Sequence, residues 1–214
     1  MNFGQWIVVG LCAFLFVWYF GWNIFNRRRG IAAYYWLRKF LSRIGEISQA
    51  GWLGSSSSGA RLGVDHGSKP FRKVEAAFWL ESRELPPLWI YHLIRGQTEV
   101  VQIRASLQHI PRFSIEVGRI GDRVFDRLVR QKGLTDGEAL LSGQYRTAFL
   151  PGSAPPVAAG LEEFLDANRG VIQSVSLRRE SPHLQIHARI KPLITMSPDA
   201  FFESLQSWLT SLEK

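Results

Sequence analysis

Three arrangements in the sequence hold residue types that can do chemistry. Gly54-Ser55-Ser56-Ser57-Ser58-Gly59 has the outer spacing of a phosphate-binding loop, in which backbone N–H groups cradle phosphate oxygens. That motif continues with Lys-Ser/Thr, whereas Ala60-Arg61 follows here, so the ammonium and the Mg²⁺-binding hydroxyl are both missing. His183 and His187 are four apart, a spacing that chelates zinc on a helix. They fall in an alternating, strand-like segment, where four residues span about 13 Å. One zinc ion needs both nitrogens within about 2.1 Å, so it cannot take the pair. Ser55 to Ser58, Asp65 and His66 contain the members of a nucleophilic triad, but no G-x-S-x-G elbow presents a serine and no third group is in place to orient the imidazole. His92 and His109 have no ligand-like neighbours. The sequence therefore offers no catalytic, cofactor-binding or metal residues, and binding is favoured over turnover. A membrane-associated enzyme acting on a lipid or small molecule is the alternative.

Charge supplies the binding candidates. Arg27, Arg28, Arg29, Arg38, Lys39 and Arg43 crowd one short stretch, opposed only by Glu46, and are read as a membrane-surface group that meets anionic lipid. Arg119, Arg123 and Arg127 are expected on one helical face as a partner-binding group, with Asp122 and Asp126 spaced to pair with them internally. Trp89 belongs to residues 85–94, a run with almost no polar face, and is a further partner-contact candidate. The formal net charge is +8. Most of it lies in residues 27–50, and the remainder of the chain is nearly balanced, which argues against nucleic acid as the partner. An anionic-polymer binder is a third, weaker reading.

The elements that must position these groups begin with an anchor. Residues 6–25 read WIVVGLCAFLFVWYFGWNIF, and no charged side chain occurs before Arg27. Twenty helical residues rise about 30 Å, the thickness of the hydrocarbon layer. The residues before the apolar run carry no Lys or Arg, and no small-residue cleavage pattern follows it, which argues against a secretory signal. Residues 1–26 are thus expected to cross the cell membrane. The basic flank predicts the N-terminus outside and the rest of the chain in the cytoplasm. Cys12 lies within this segment as a small apolar filler. As the sole cysteine it cannot form an intramolecular disulfide.

Residues 27–47 form the next expected element, a separate basic amphipathic helix with Tyr34, Leu37, Leu41 and Ile44 on one stripe. The stripe suits either the headgroup plane or docking on the soluble domain. Residues 48–70 are rich in Gly and Ser and read as a linker. Residues 71–214 are expected to be one α+β domain with a mainly antiparallel sheet covered by helices. Strands are expected at 73–80, 99–107 and 112–117, and as a hairpin at 171–179 and 183–191. Helices are expected at 88–95, at 122–132, from 135 to 148 after the capping-box pattern Thr135-Asp136-Gly137-Glu138, from 155 to 168, and after Ser197-Pro198-Asp199.

Phe125-Asp126-Arg127, followed by Asp136-Gly137-Glu138-Ala139-Leu140-Leu141 and a terminal hairpin and helix, resembles uncharacterised membrane-anchored prokaryotic domains over about residues 120–212. The resemblance implies a Phe-Asp pair ahead of an acidic Leu-Leu helix, and no activity. The combined expectation is a single-pass accessory or scaffold protein whose cytoplasmic domain binds a protein or lipid partner.

Overall fold

The computed structural model describes residues 2–81, 86, 90, 91, 94, 99–150 and 160–212. Its first element, α1, is a single helix of 40 residues, Phe3–Ser42, about 60 Å long. Its two parts have opposite surroundings. Up to Phe25 its apolar side chains point outward, and none of the most apolar stretch is buried. From Asn26 onward one face turns inward, and Ala33, Trp36, Leu37, Phe40 and Leu41 enter the core.

That core lies against one sheet of nine antiparallel strands: β1 Gln49–Trp52, β2 Gly59–Val64, β3 Phe71–Trp79, β4 Val100–Leu107, β5 Ile115–Arg119, β6 Thr135–Leu140, β7 Tyr145–Phe149, β8 Ile172–Leu177 and β9 Leu184–Arg189. Their spatial order is β1-β2-β3-β4-β9-β8-β5-β7-β6. Along the strands every second residue is apolar and buried, as in Val74, Ala76 and Phe78 of β3 or Leu184, Ile186 and Ala188 of β9. Period two puts these on one face. The second half of α1 shares the core they form with α3 (Leu161–Ala167), α4 (Ile190–Leu193) and α5 (Pro198–Ser211). A further helix, α2 (Arg123–Lys132), packs on the opposite face. There Phe125 and Val129 meet Ala148 of β7 in a small second cluster.

Four expectations need correction. The Gly/Ser-rich residues 48–70 are not a free linker. They contain β1 and β2, and β2 pairs with β3 from Gly59↔Trp79 to Val64↔Val74 and buries Ala60, Leu62 and Val64. Two glycines serve close approach: a Cβ at Gly59 would collide with the Phe78 carbonyl and one at Gly45 with the His66 carbonyl, where the two segments meet at a Gly45↔Gly67 bridge. The domain boundary therefore moves from residue 71 into α1. The basic amphipathic helix is likewise not separate, because α1 passes through residue 30 unbroken and its stripe docks on the sheet. Residues 135–148 do not form a helix. They form the β6–β7 hairpin, which turns through Leu141, Ser142 and Gly143 at positive φ, and so they depart from the acidic Leu-Leu helix of the families resembled. Finally, the third strand begins at Ile115 rather than Arg112 and extends to Arg119.

The hairpin of β8 and β9, the strands β3 and β4 and the helix after Ser197 lie where periodicity places them. Most of the helix expected at 88–95 and the start of the one expected at 155 lie outside the described residues.

Candidate functional site

Among the described residues, two regions that gather polar and charged side chains bear on the expected site residues. The first is the junction where α1 leaves its exposed apolar stretch. Asn26 Nδ2 donates to the Glu81 carbonyl at 2.9 Å, and Arg29 Nη1 pairs with Glu99 Oε2 at 2.6 Å, both side chains largely shielded from water. A Cβ at Gly30 would overlap the Ser56 carbonyl, so this turn of helix lies directly on the β1–β2 loop. The domain thus begins within about one helical turn of Phe25.

The six basic residues of the flank separate into distinct settings. Arg27 and Arg28 are exposed beside the junction. Arg29 is bound to Glu99. Arg38, Lys39 and Arg43 lie about 20–27 Å farther along the helix than Phe25. Lys39 Nζ (2.8 Å) and Arg43 Nε (3.4 Å) both reach Asp199, in the first turn of α5. The Lys39 ammonium, hydrogen-bonded to it, holds the Asp199 carboxyl below the usual carboxylate range. Trp36 Nε1 donates to the Met196 carbonyl at 2.8 Å, so the same end of α1 is tied to the chain entering α5.

The second region is the sheet face opposite α1. Cross-strand register lines up Ala77, Gln102, His187, Ser174, Gly118 and Arg146 from β3 to β7. His187 is central. The side-chain amides of Gln102 and Gln185 approach its Nε2 at 3.1 and 3.2 Å, and Ser174 Oγ is 2.9 Å from Nδ1. With both amides donating, Nε2 holds the lone pair and Nδ1–H donates to Ser174. Burial, reinforced by the Arg104 charge, lowers the pKa of this imidazole. His183 faces elsewhere: its Nδ1 accepts from the Leu107 N–H at 2.9 Å.

The next row holds Glu116, only 8% exposed. Arg178 Nη2 reaches it at 2.7 Å and Lys132 Nζ of α2 at 3.3 Å. Three more contacts fix α2 to this face. Arg146 pairs with Asp126, and its guanidinium lies 5.3 Å from the Phe125 ring centre. Gln173 Nε2 donates to Asp122 Oδ2 at 3.0 Å, while Asp122 Oδ1 caps the helix by accepting from the Val124 N–H. Gly118 completes the fit, since a Cβ there would overlap the Phe125 ring.

The partner-binding residues expected from the sequence are therefore divided. Arg119 is on β5 and not on a helix. Arg123 and Arg127 are exposed on α2. The internal ion pairs expected for them do not form, because Asp126 is drawn to Arg146 and Asp122 to the helix cap and Gln173. Trp89 lies outside the described residues. The cluster around His187 and Glu116 was missed, since histidine and glutamine alternating on a strand look like a solvated face. The register that brings Gln102 against His187 is a tertiary fact.

A cavity of about 380 Å³ opens at the far end of the sheet, among Leu107, Ile110, Phe113, Leu177, Leu209 and Leu212, with His109 and Arg112 in its wall. His187 does not line it. Among the described residues no group of three or more His, Cys, Asp or Glu side chains could hold a metal. No protein-family model matches the chain, and no curated protein matches it.

Proposed function

We propose that the protein is a single-pass membrane-anchored binding module. In this reading residues 3–25 cross the cell membrane, and the sheet domain is held at the cytoplasmic surface to position a protein partner there. The observation that carries the reading is the dual character of α1. One uninterrupted helix is outward-facing and apolar for its first 23 residues, and it is a core element of the domain for the rest. A soluble protein that exposed so large an apolar surface would associate through it. In a bilayer the same surface is matched to its solvent.

Orientation rests on Arg27, Arg28 and Arg29, which follow the span directly, whereas residues 2–5 carry no basic side chain. Arg27 and Arg28 then lie at headgroup depth, where each basic residue contributes about 1 kcal/mol with anionic lipid. Binding is the function favoured in this reading: the charged groups of the sheet face hold α2, and His187 lies away from the cavity between Leu107 and Phe113. Reporter fusions test the topology. A C-terminal fluorescent protein that matures only in the cytoplasm is expected to fluoresce, and a phosphatase active only outside is expected to be silent. The reverse pattern refutes the proposed compartment.

A further inference from the structure

On an ideal helix, residues 123, 127 and 130 fall within about 60° of one another. On α2 this stripe lies opposite Phe125 and Val129, the residues that face the sheet. Arg123, Arg127 and Arg130 are all exposed. None of the three has a carboxylate within ion-pair distance among the described residues; Arg130 Nε reaches only the Asp126 carbonyl of its own helix, at 3.2 Å. The acids that could have neutralised them are engaged elsewhere: Asp126 with Arg146, Asp122 with Val124 N–H and Gln173, and Glu116 with Arg178 and Lys132. Like charges three and four apart repel on a helix surface. Val124, beside the stripe, is 69% exposed.

We infer that the outer face of α2 is the docking surface for an acidic segment of a partner protein, its carboxylates taken by Arg123, Arg127 and Arg130 and its apolar flank resting on Val124. The inference rests on the reading of the chain as a binding module and names the chemistry of its partner. Guanidinium groups hold carboxylates in bidentate geometry, and three in one row match acids spaced one helical turn apart. The fixed spacing favours protein over lipid: a helical segment repeats its acids at one-turn intervals, whereas headgroups in a fluid leaflet hold no set spacing. Binding replaces repulsion among the three cations with three opposite-charge contacts. Holding the inward acids on Arg146, Gln173, Arg178 and Lys132 is what keeps the stripe available.

The test uses the full chain in nanodiscs of zwitterionic lipid and, as probe, a fluorescent helical peptide with glutamates at every fourth position. The wild type is expected to bind the peptide, with affinity falling as salt rises. The triple variant R123Q/R127Q/R130Q is expected to lose roughly tenfold or more in affinity, three exposed charge contacts being removed. Its thermal stability should be equal or higher because the repulsion is gone. Substituting Arg27 and Arg28 with Gln should leave peptide binding unchanged. Equal peptide binding by the triple variant and the wild type overturns the inference. If the triple variant instead keeps peptide binding but loses association with anionic vesicles, the stripe is a headgroup site, which also overturns it. Neither outcome depends on which side of a membrane the domain occupies, so failure here is distinct from failure of the topology.

Discussion

Phe125 lies over Gly118 with its ring where any larger residue would place its Cβ. This contact, together with the Arg146–Asp126 pair, decides where α2 rests and hence which way its arginines point. Gly118→Ala is expected to cost about 1–3 kcal/mol, the usual penalty for overpacking. Phe125→Ala should cost less in the Gly118→Ala background than alone, because the two residues share one contact. Thermal unfolding of the four proteins of this cycle in detergent measures the coupling, and strict additivity would contradict the packing.

His187 gives a second residue-scale expectation. Burial favours its neutral form, and a proton on Nε2 would confront the Gln102 and Gln185 amide donors. Its folded pKa lies below the unfolded value of about 6.5. Its contribution is therefore fully present above pH 6.5 and is lost as the pH falls from there through the folded value. Unfolding midpoints measured from pH 8 to pH 5 should decline in the wild type, and the decline should be shallower in His187→Gln.

Helix α1 is the element on which the account turns. Phe40 is completely buried, stacked on Trp36 and edge-on to Phe201. Phe40→Ala should cost about 3–5 kcal/mol. A headgroup-bound helix would lose far less domain stability from the same change, so the size of the loss separates the two roles. A fragment of residues 71–214 lacks Leu37, Phe40, Leu41, Leu62 and Val64 and is expected not to fold cooperatively. A fragment beginning at residue 26 retains all of them and is expected to do so, as circular dichroism and thermal melting would show.

These elements also show what the sequence could reveal. The alternation of Val74, Ala76 and Phe78, the hairpin arms of β8 and β9, and the Ser197-Pro198-Asp199 start of α5 are local patterns that survive in the fold. Ala60, Leu62 and Val64 alternate too, but Gly and Ser surround them, and of the glycines that suggest a linker, Gly59 and Gly67 lie close against β3. Thr135-Asp136-Gly137-Glu138 has a capping-box pattern, yet the alternation of Tyr145, Thr147 and Phe149 with Arg146 and Ala148 pulls the segment into the sheet. The site was half legible. The arginines of α2 were visible, but the removal of their expected acids to β7 and β8 depends on a register that local sequence does not encode.

For the whole molecule, one helix carries the proposed membrane span into the folded domain without a hinge. Asn26 and Arg29 are fastened to Glu81 and Glu99, Gly30 lies against Ser56, and the far end of the helix is fastened to Asp199 and Met196. A domain held in this way would keep a fixed orientation to the bilayer, and the arginine stripe of α2 would keep a fixed direction. Collision accessibility of nitroxide labels placed one at a time along residues 20–37, in Cys12→Ser protein in bilayers, tests this most directly. Labels at residues 20, 24 and 25 should be accessible to oxygen from the lipid. Labels at 26, 33 and 37 should be immobile and shielded from both oxygen and a water-soluble relaxant, and those at 27, 28 and 35 should meet the aqueous reagent. Uniform mobility and water accessibility from 26 through 33 would mean a flexible joint and would contradict the account.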